Sequence, residues 1–246
     1  MPNPTAAMLT IGDEILSGRT RDSNMPHLAR TLAAAGIDLR EARTVPDDAA
    51  EIVAAVNALR ARYDHVFTSG GIGPTHDDIT ADAIAAAFGV GIGVREDARA
   101  ILATNYADPE RELNEARLRM ARIPDGATLI ENPVSRAPGF TIGNVHVMAG
   151  VPAVFDAMVA SLAPLLTGGR PLLSVSARAA HPEGILAGPL RALAEAHPSV
   201  SIGCYPFNQG GVFGANVVLR AQDEAALAAA EAGLAAMLGE LGAGRA

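Results

Sequence analysis

Thr68-Ser69-Gly70-Gly71-Ile72-Gly73-Pro74-Thr75-His76-Asp77-Asp78 is the stretch on which the reading of the fold turns. A short β-type run, Asp64–Thr68, leads into it, and the alanine-rich Asp78–Phe88, expected as a helix, leaves it. In an open α/β sheet, ligands bind beyond the carboxyl ends of the strands, where such strand-to-helix turns lie. Gly70, Gly71 and Gly73 let the backbone turn sharply and approach a ligand closely. Successive N–H groups, together with the start of the next helix, suit an anion. Ser69 and Thr75 add hydroxyl donors, and Pro74 completes the expected ligand-binding set. The pattern is neither GxGxxG nor Walker A. A plainer reading holds beside this one: Thr75 caps the helix and Asp78 completes a T-x-x-D box around a tight turn.

Working outward, the same alternation recurs. Thr5–Ile11 and Ile37–Val45 read as strands; a helix capped around Asp22-Ser23-Asn24 runs to Ala35, and another covers Asp47–Ala61. Alternating strands and amphipathic helices predict a mostly parallel sheet covered on both faces. Arg95 to Arg122 reads as mainly helical, with a break near Asp108-Pro109. Gly143-Asn144 predicts a hairpin turn between Phe140–Ile142 and Val145–Met148. The helix Val151–Leu166 closes this region, and Thr167-Gly168-Gly169-Arg170-Pro171 breaks the pattern. The expected domains are therefore 1–167 and a smaller α+β unit, 168–246, with the order βαββα.

If the sheet is parallel, several strand ends bring acidic residues to one edge. Gly12-Asp13-Glu14 follows the first strand and Pro46-Asp47-Asp48 the second, while Asp77 and Asp78 follow the third. Carboxylates beside a phosphate repel it unless a divalent cation bridges them, and magnesium is the usual partner. Asp13, Asp77 and Asp78 are the expected metal ligands. Asp47 is the better candidate for the ligand edge, since Asp48 and Glu51 have capping-box spacing. Asp82 lies one helical turn beyond Asp78 on the same face. Arg136 is a candidate phosphate clamp. The lone Cys204 reads as a small core residue, with no basic partner adjacent.

Composition narrows the classes. The chain has 246 residues, 49% of them hydrophobic, and a net charge of −8, which argues against nucleic acid as a nonspecific partner. Lysine is absent, so lysine-dependent schemes such as a Walker phosphate lysine or a Schiff base are excluded. One cysteine allows no internal disulfide framework and fits a reducing, cytoplasmic setting. The N-terminus lacks the pattern of a signal peptide. The stretch taken as most apolar, Ala83 to Val94, is too short for a bilayer, so no membrane association is expected.

The set TIGDEILSG, Asp22-Ser23-Asn24, Pro46-Asp47-Asp48, SGGIGPTHDDIT and NPVSRAPG resembles the molybdopterin-binding domain family, which includes the MoaB and MogA cofactor-biosynthesis proteins. It is nearest to the CinA-like branch and covers about Thr5 to Leu166. The tail, with CYPF and VVLRAQD, resembles the second domain of that branch and the molybdopterin-binding half of eukaryotic FAD synthetases. The resemblance implies a three-layer, doubly wound α/β fold. It puts Gly70, Gly71, Gly73, Thr75 and Asp78 in the pocket, with Asp13, Asp47 and Asp82 around it. It further implies a molybdopterin or nucleotide ligand. One reading is a metal-dependent pyrophosphatase acting on ADP-ribose or FAD, a hydrolase with Asp47, Asp78 and Asp82 as its catalytic set. The others are molybdopterin binding or adenylation, and a noncatalytic scaffold. Homo-oligomers are expected. Two positions depart from the common pattern: Ser135-Arg136 stand where glycine and threonine are frequent, and Ala149 stands where proline is.

Overall fold

The computed structural model describes residues 2–243. The chain divides into two compact units, one up to Gly169 and one from Arg170. In the first unit the elements run β1 (Thr5–Ile11), α1 (Asp13–Leu16), α2 (Asn24–Ala34), β2 (Asp38–Val45), α3 (Ala49–Arg60), β3 (His65–Ser69) and α4 (Thr80–Phe88). They continue through β4 (Ile92–Val94), α5 (Glu96–Ala103), α6 (Pro109–Glu112), α7 (Glu115–Leu118), β5 (Arg122–Pro124) and β6 (Thr128–Ile130). The unit ends with β7 (Gly139–Ile142), β8 (Val145–Met148) and α8 (Pro152–Leu162).

Its main sheet has the order β2-β1-β3-β8-β7-β6. β2, β1, β3 and β8 are parallel, whereas β7 runs against them and β6, antiparallel to β7, runs with them again. β1 is buried on both faces, as its near-continuous apolar run requires. Ala7, Leu9 and Ile11 pack with Ile52, Val56 and Leu59 of α3 and Ile84 of α4. The alternate residues Ala6 and Met8 pack with Leu28 and Leu32 of α2 and Phe155 and Met158 of α8. The result is the expected three-layer, mostly parallel fold. The register decides where ligands can lie. Ile11 pairs with Val45, Thr10 with Ser69, and Ser69 with Met148, so four parallel strands end at one rim.

One reading of this unit needs correcting. The helix after the glycine turn starts at Thr80, not Asp78, because residues 75–78 fold into a turn of their own, with Asp78 N–H on the Thr75 carbonyl at 3.2 Å. Residues 95–122 are mainly helical, as expected, and the short strands β4 and β5 that flank this stretch form a separate two-stranded antiparallel sheet. Three-residue strands are too short to show alternation in sequence.

The second unit contains β9 (Leu173–Ala179), α9 (Glu183–Ala196), β10 (Ser201–Gln209), β11 (Val212–Ala221) and α10 (Glu224–Ala243). Its antiparallel sheet has the order β10-β11-β9. Leu186, Leu190 and Leu193 of α9 pack with Leu227, Ala230 and Leu234 of α10 on Val217 and Leu219 of β11. β10 and β11 run longer than their apolar cores suggested. Gly210 and Gly211, at φ +62° and +85°, close them into a hairpin. The expectation that no stretch is long enough for a bilayer also needs amending. Glu224–Gly242 is long and apolar enough by length and composition, although its Leu227–Ala230–Leu234 stripe is buried on its own sheet.

Candidate functional site

The rim is built on close backbone contacts that only glycine permits. Gly71 has φ +68°, and a Cβ there would run into Thr80 Oγ1, whose backbone N–H in turn donates to the Gly71 carbonyl at 2.9 Å. Gly70 has φ +111° and sits against the Ile11 carbonyl, with its N–H on the Met148 carbonyl at 3.1 Å. The turn is thereby fastened to β1 and β8. Gly150, just beyond β8, packs on Gly70; a Cβ on Gly150 would lie 3.2 Å from the Gly70 Cα.

Over this rim opens a cavity of about 360 Å³, within the usual size of a small-molecule site. Gly70, Gly71, Gly73, Pro74, Asp77 and Asp78 line it from the glycine turn. Glu14 and Asp47 line it from the ends of β1 and β2, and Asn132, Ser135 and Ala137 from the loop before β7. Asn132 holds that loop in shape. Its Oδ1 accepts the N–H groups of Val134 and Ser135 at 3.0 and 3.2 Å, and its Nδ2 donates to the Ala137 carbonyl at 2.8 Å. The turn leaves Arg136 exposed in the left-handed region, at φ +60°.

The acidic side is concentrated. Asp47 Oδ2 accepts the Asp13 N–H at 3.0 Å. Burial is the first cause that raises the Asp47 carboxyl above the ordinary aspartate value, and the charges of Asp13, Glu14 and Asp77 push the same way. Glu14 folds back over Gly12, where a Cβ would come within 2.6 Å of its carboxylate. Asp48 serves as the N-cap of α3, with Oδ1 accepting from Ala50 and Glu51 at 2.9 and 3.1 Å.

Several candidates take other roles. Ser69 is buried, and its Oγ accepts from Asn24 Nδ2 at 2.7 Å, so it braces the rim. Thr75 lies outside the cavity lining and is no helix cap; its N–H and hydroxyl both donate to Asp78 Oδ2. The Asp13 side chain is exposed, and Glu14 takes the place in the lining expected of it. Asp82 forms a two-pronged pair with Arg122 at 2.8 and 2.6 Å, behind the turn and outside the cavity lining. Its catalytic assignment gives way to a positioning one. The sequence reading overlooked Arg119, whose Nη2 donates to the Asp78 carbonyl at 2.9 Å. It also overlooked Asn132 and Thr80. A polar residue after a helix break carries no signal of such contacts.

The expected metal set of Asp13, Asp77 and Asp78 does not assemble. Among the described residues no three acidic, histidine or cysteine side chains stand close enough to hold an ion. Asp78 is occupied by Thr75, and Asp13 turns outward. The donor set nevertheless fits a magnesium ion of the kind held by one or two carboxylates and completed by its ligand's phosphate oxygens. Glu14, Asp47 and Asp77 are the cavity-facing carboxylates that could supply that part.

Residues 7–168 match the family described as "Probable molybdopterin binding domain". The chain belongs to the molybdopterin-binding domain family. Residues 171–243 match a second family, "FAD synthase, middle domain". A CinA-like protein of Citrifermentans bemidjiense is 40% identical over 167 residues, covering 66% of this chain and 40% of that protein. A protein of Aeropyrum pernix is 33% identical over 225 residues, 88% of this chain and 83% of that one. The crystal structure of a CinA protein with unknown function from Thermoplasma acidophilum superposes with a TM-score of 0.60 at 36% identity, over 65% of this chain and 95% of that chain. This molybdopterin-binding-domain protein is thus CinA-like, and the match spans well under half of the length of the CinA-like protein.

Proposed function

We propose that the first unit binds a phosphorylated heterocycle, a pterin or a nucleotide, with the phosphate on the amides of the Gly70–Gly73 turn. The observation that carries this reading is the cavity itself, of about 360 Å³, whose lining brings the glycine turn together with Glu14, Asp47 and Asp77. Amides at a strand end suit the phosphate. Carboxylates opposite suit a divalent cation that arrives with the phosphate, Mg²⁺ being the natural choice. The family descriptions, a molybdopterin binding domain followed by a middle domain of FAD synthase, point to the same ligand classes.

Metal-dependent cleavage of a pyrophosphate is the activity this arrangement supports best. The bound cation would supply charge neutralisation at the phosphate. With Glu14 and Asp77 left to hold the cation, Asp47, whose carboxyl burial raises above the ordinary aspartate value, suits proton transfer to or from water. Asp78 is tied down by Thr75, and Asp82 by Arg122, so each shapes the turn while Asp47 faces the ligand. The test pairs calorimetric titration with product analysis, using ADP-ribose, FAD and a pterin phosphate with Mg²⁺, Mn²⁺ or Co²⁺. Saturable binding with release of nucleoside monophosphate supports both parts. Binding without turnover leaves a carrier or sensor. No binding of any of the ligands rejects the reading.

A further inference from the structure

Beside the main cavity lies a crevice of about 50 Å³ between the ends of β1 and β3 and the start of α2. It shares Ile11, Glu14 and Gly150 with the cavity, so the two adjoin at the same rim. Its polar lining comprises Thr10, Glu14, Thr20, Arg21, Asp22, Ser23, Asn24 and Ser69.

Asn24 is its informative member. The residue is 4% exposed. Its Nδ2 donates to Ser69 Oγ at 2.7 Å and to the Gly150 carbonyl at 2.8 Å. A carbonyl only accepts, so Gly150 fixes which end of the amide is nitrogen. The other end, Oδ1, is therefore a true acceptor, and it is buried with no partner. Buried acceptors are normally satisfied, and one left bare calls for an explanation. Asp22 supplies none, since its Oδ1 already accepts from Asn24 N–H at 2.8 Å and it has no proton to give when ionised. Glu14 adds another acceptor. The crevice also offers donors, in Arg21 and the hydroxyls of Thr10, Thr20 and Ser23, so it is the bare Asn24 Oδ1 that asks an N–H of an occupant. The space admits a small group and no second ligand.

We propose that this crevice reads the exocyclic amine of the heterocycle bound in the main cavity, with Asn24 Oδ1 as the acceptor that selects it. The inference rests on the reading given under Proposed function, and it adds the feature by which that ligand is chosen. Gly150 joins the two halves of the site. Its carbonyl orients Asn24, while its backbone packs on Gly70 at the head of the phosphate turn. Amine recognition and phosphate recognition are thus held on one piece of backbone.

The test measures affinities of matched pairs with Mg²⁺ by calorimetric titration. One pair is ADP and IDP, which differ in the purine amine. The other is pterin-6-ylmethyl diphosphate and its lumazine analogue, which lacks the pterin amine. The expected result is about tenfold tighter binding of the amine-bearing member of one pair, the worth of one well-made hydrogen bond to a buried acceptor. The pair that discriminates names the heterocycle. In N24A that preference falls to near unity. In S69A, which loosens Asn24 but keeps its Oδ1, overall affinity drops while the preference survives. A structural role alone would weaken both members of a pair equally and leave the ratio unchanged. Equal affinities within both pairs for the native protein overturn the proposal, as does a preference that persists in N24A; either leaves the phosphate reading standing. Failure of all four compounds to bind rejects the phosphate reading and this inference with it.

Discussion

Acid should unfold the first unit through one buried histidine. His146 on β8 is 4% exposed. Its Nε2 lies 3.1 Å from His65 Nδ1, its Nδ1 lies 3.0 Å from Thr141 Oγ1, and its ring packs on Phe67 at 4.9 Å between centroids. Burial, followed by the charge His65 would carry, pushes the His146 pKa down to about 3. Burial also lowers that of His65, against the opposing pull of Asp64. In the unfolded chain a histidine titrates near 6.5. Between those values the unfolded state binds a proton that the folded state refuses, so stability falls as the pH falls through about 6.5. The slope approaches about 1.4 kcal/mol per pH unit. From pH 7 to pH 5, His146 alone removes about 2 kcal/mol, or about 4–8 °C in melting temperature for a unit of this size. The lowered carboxyls of Glu41, Asp64, Asp77 and Asp97 act the same way only below this window, near the ordinary carboxylate range, and the raised Asp47 carboxyl opposes them there. Calorimetric melting at pH 7, 6 and 5 should show the fall. The variant His146→Gln, less stable at pH 7, should show a slope shallower by about one proton. An identical pH dependence in the two proteins refutes the argument.

Three further outcomes follow from the same geometry. Asp48→Ala removes the side-chain cap of α3 and should cost about 1 kcal/mol in urea unfolding while leaving nucleotide affinity in place. Gly71→Ala forces a side chain into a left-handed position and against Thr80, so a loss of about 2 kcal/mol or more is expected together with loss of phosphate binding. Asp47→Asn takes one charge from a crowd of carboxylates. Its melting temperature should hold or rise by a few degrees, on the scale of one like-charge contact, while Mg²⁺-dependent ligand binding drops.

Much of this architecture is legible in the chain because its informative features are local. β1 reads as a buried strand from its own residues, and the alternation of strands with apolar-faced helices implies the parallel sheet. The convergence of Ile11, Val45, Ser69 and Met148 follows once the sheet is parallel. What stays hidden depends on contacts between distant segments. Nothing near Asp82 announces that Arg122, forty positions on, will hold it in two bonds. Asp13 and Glu14 are adjacent and equally acidic, and only the short helix α1 decides which of them faces the cavity. Thr75 and Asp78 have capping-box spacing, yet the helix begins beyond both because Thr80 is anchored to the Gly71 carbonyl.

That last contact explains why the turn can serve an anion in an acidic protein. Gly71 and Thr80 are tied by the Thr80 N–H, and Thr75 takes up the Asp78 carboxylate, so the segment is fixed without help from the ligand. The positive groups nearest to it are already committed. Arg122 is paired with Asp82, and Arg119 spends Nη2 on the Asp78 carbonyl. With no lysine in the chain, the proposed phosphate would rest on the backbone amides of the turn, with the exposed Arg136 of the loop before β7 as a further donor. Amides carry only partial charge, too little to offset the Glu14, Asp47 and Asp77 carboxylates that share the lining. On the proposed reading the site would therefore suit an anion that brings its own divalent counter-ion, and would hold a bare anion poorly. A phosphorylated ligand with a bound cation meets that condition.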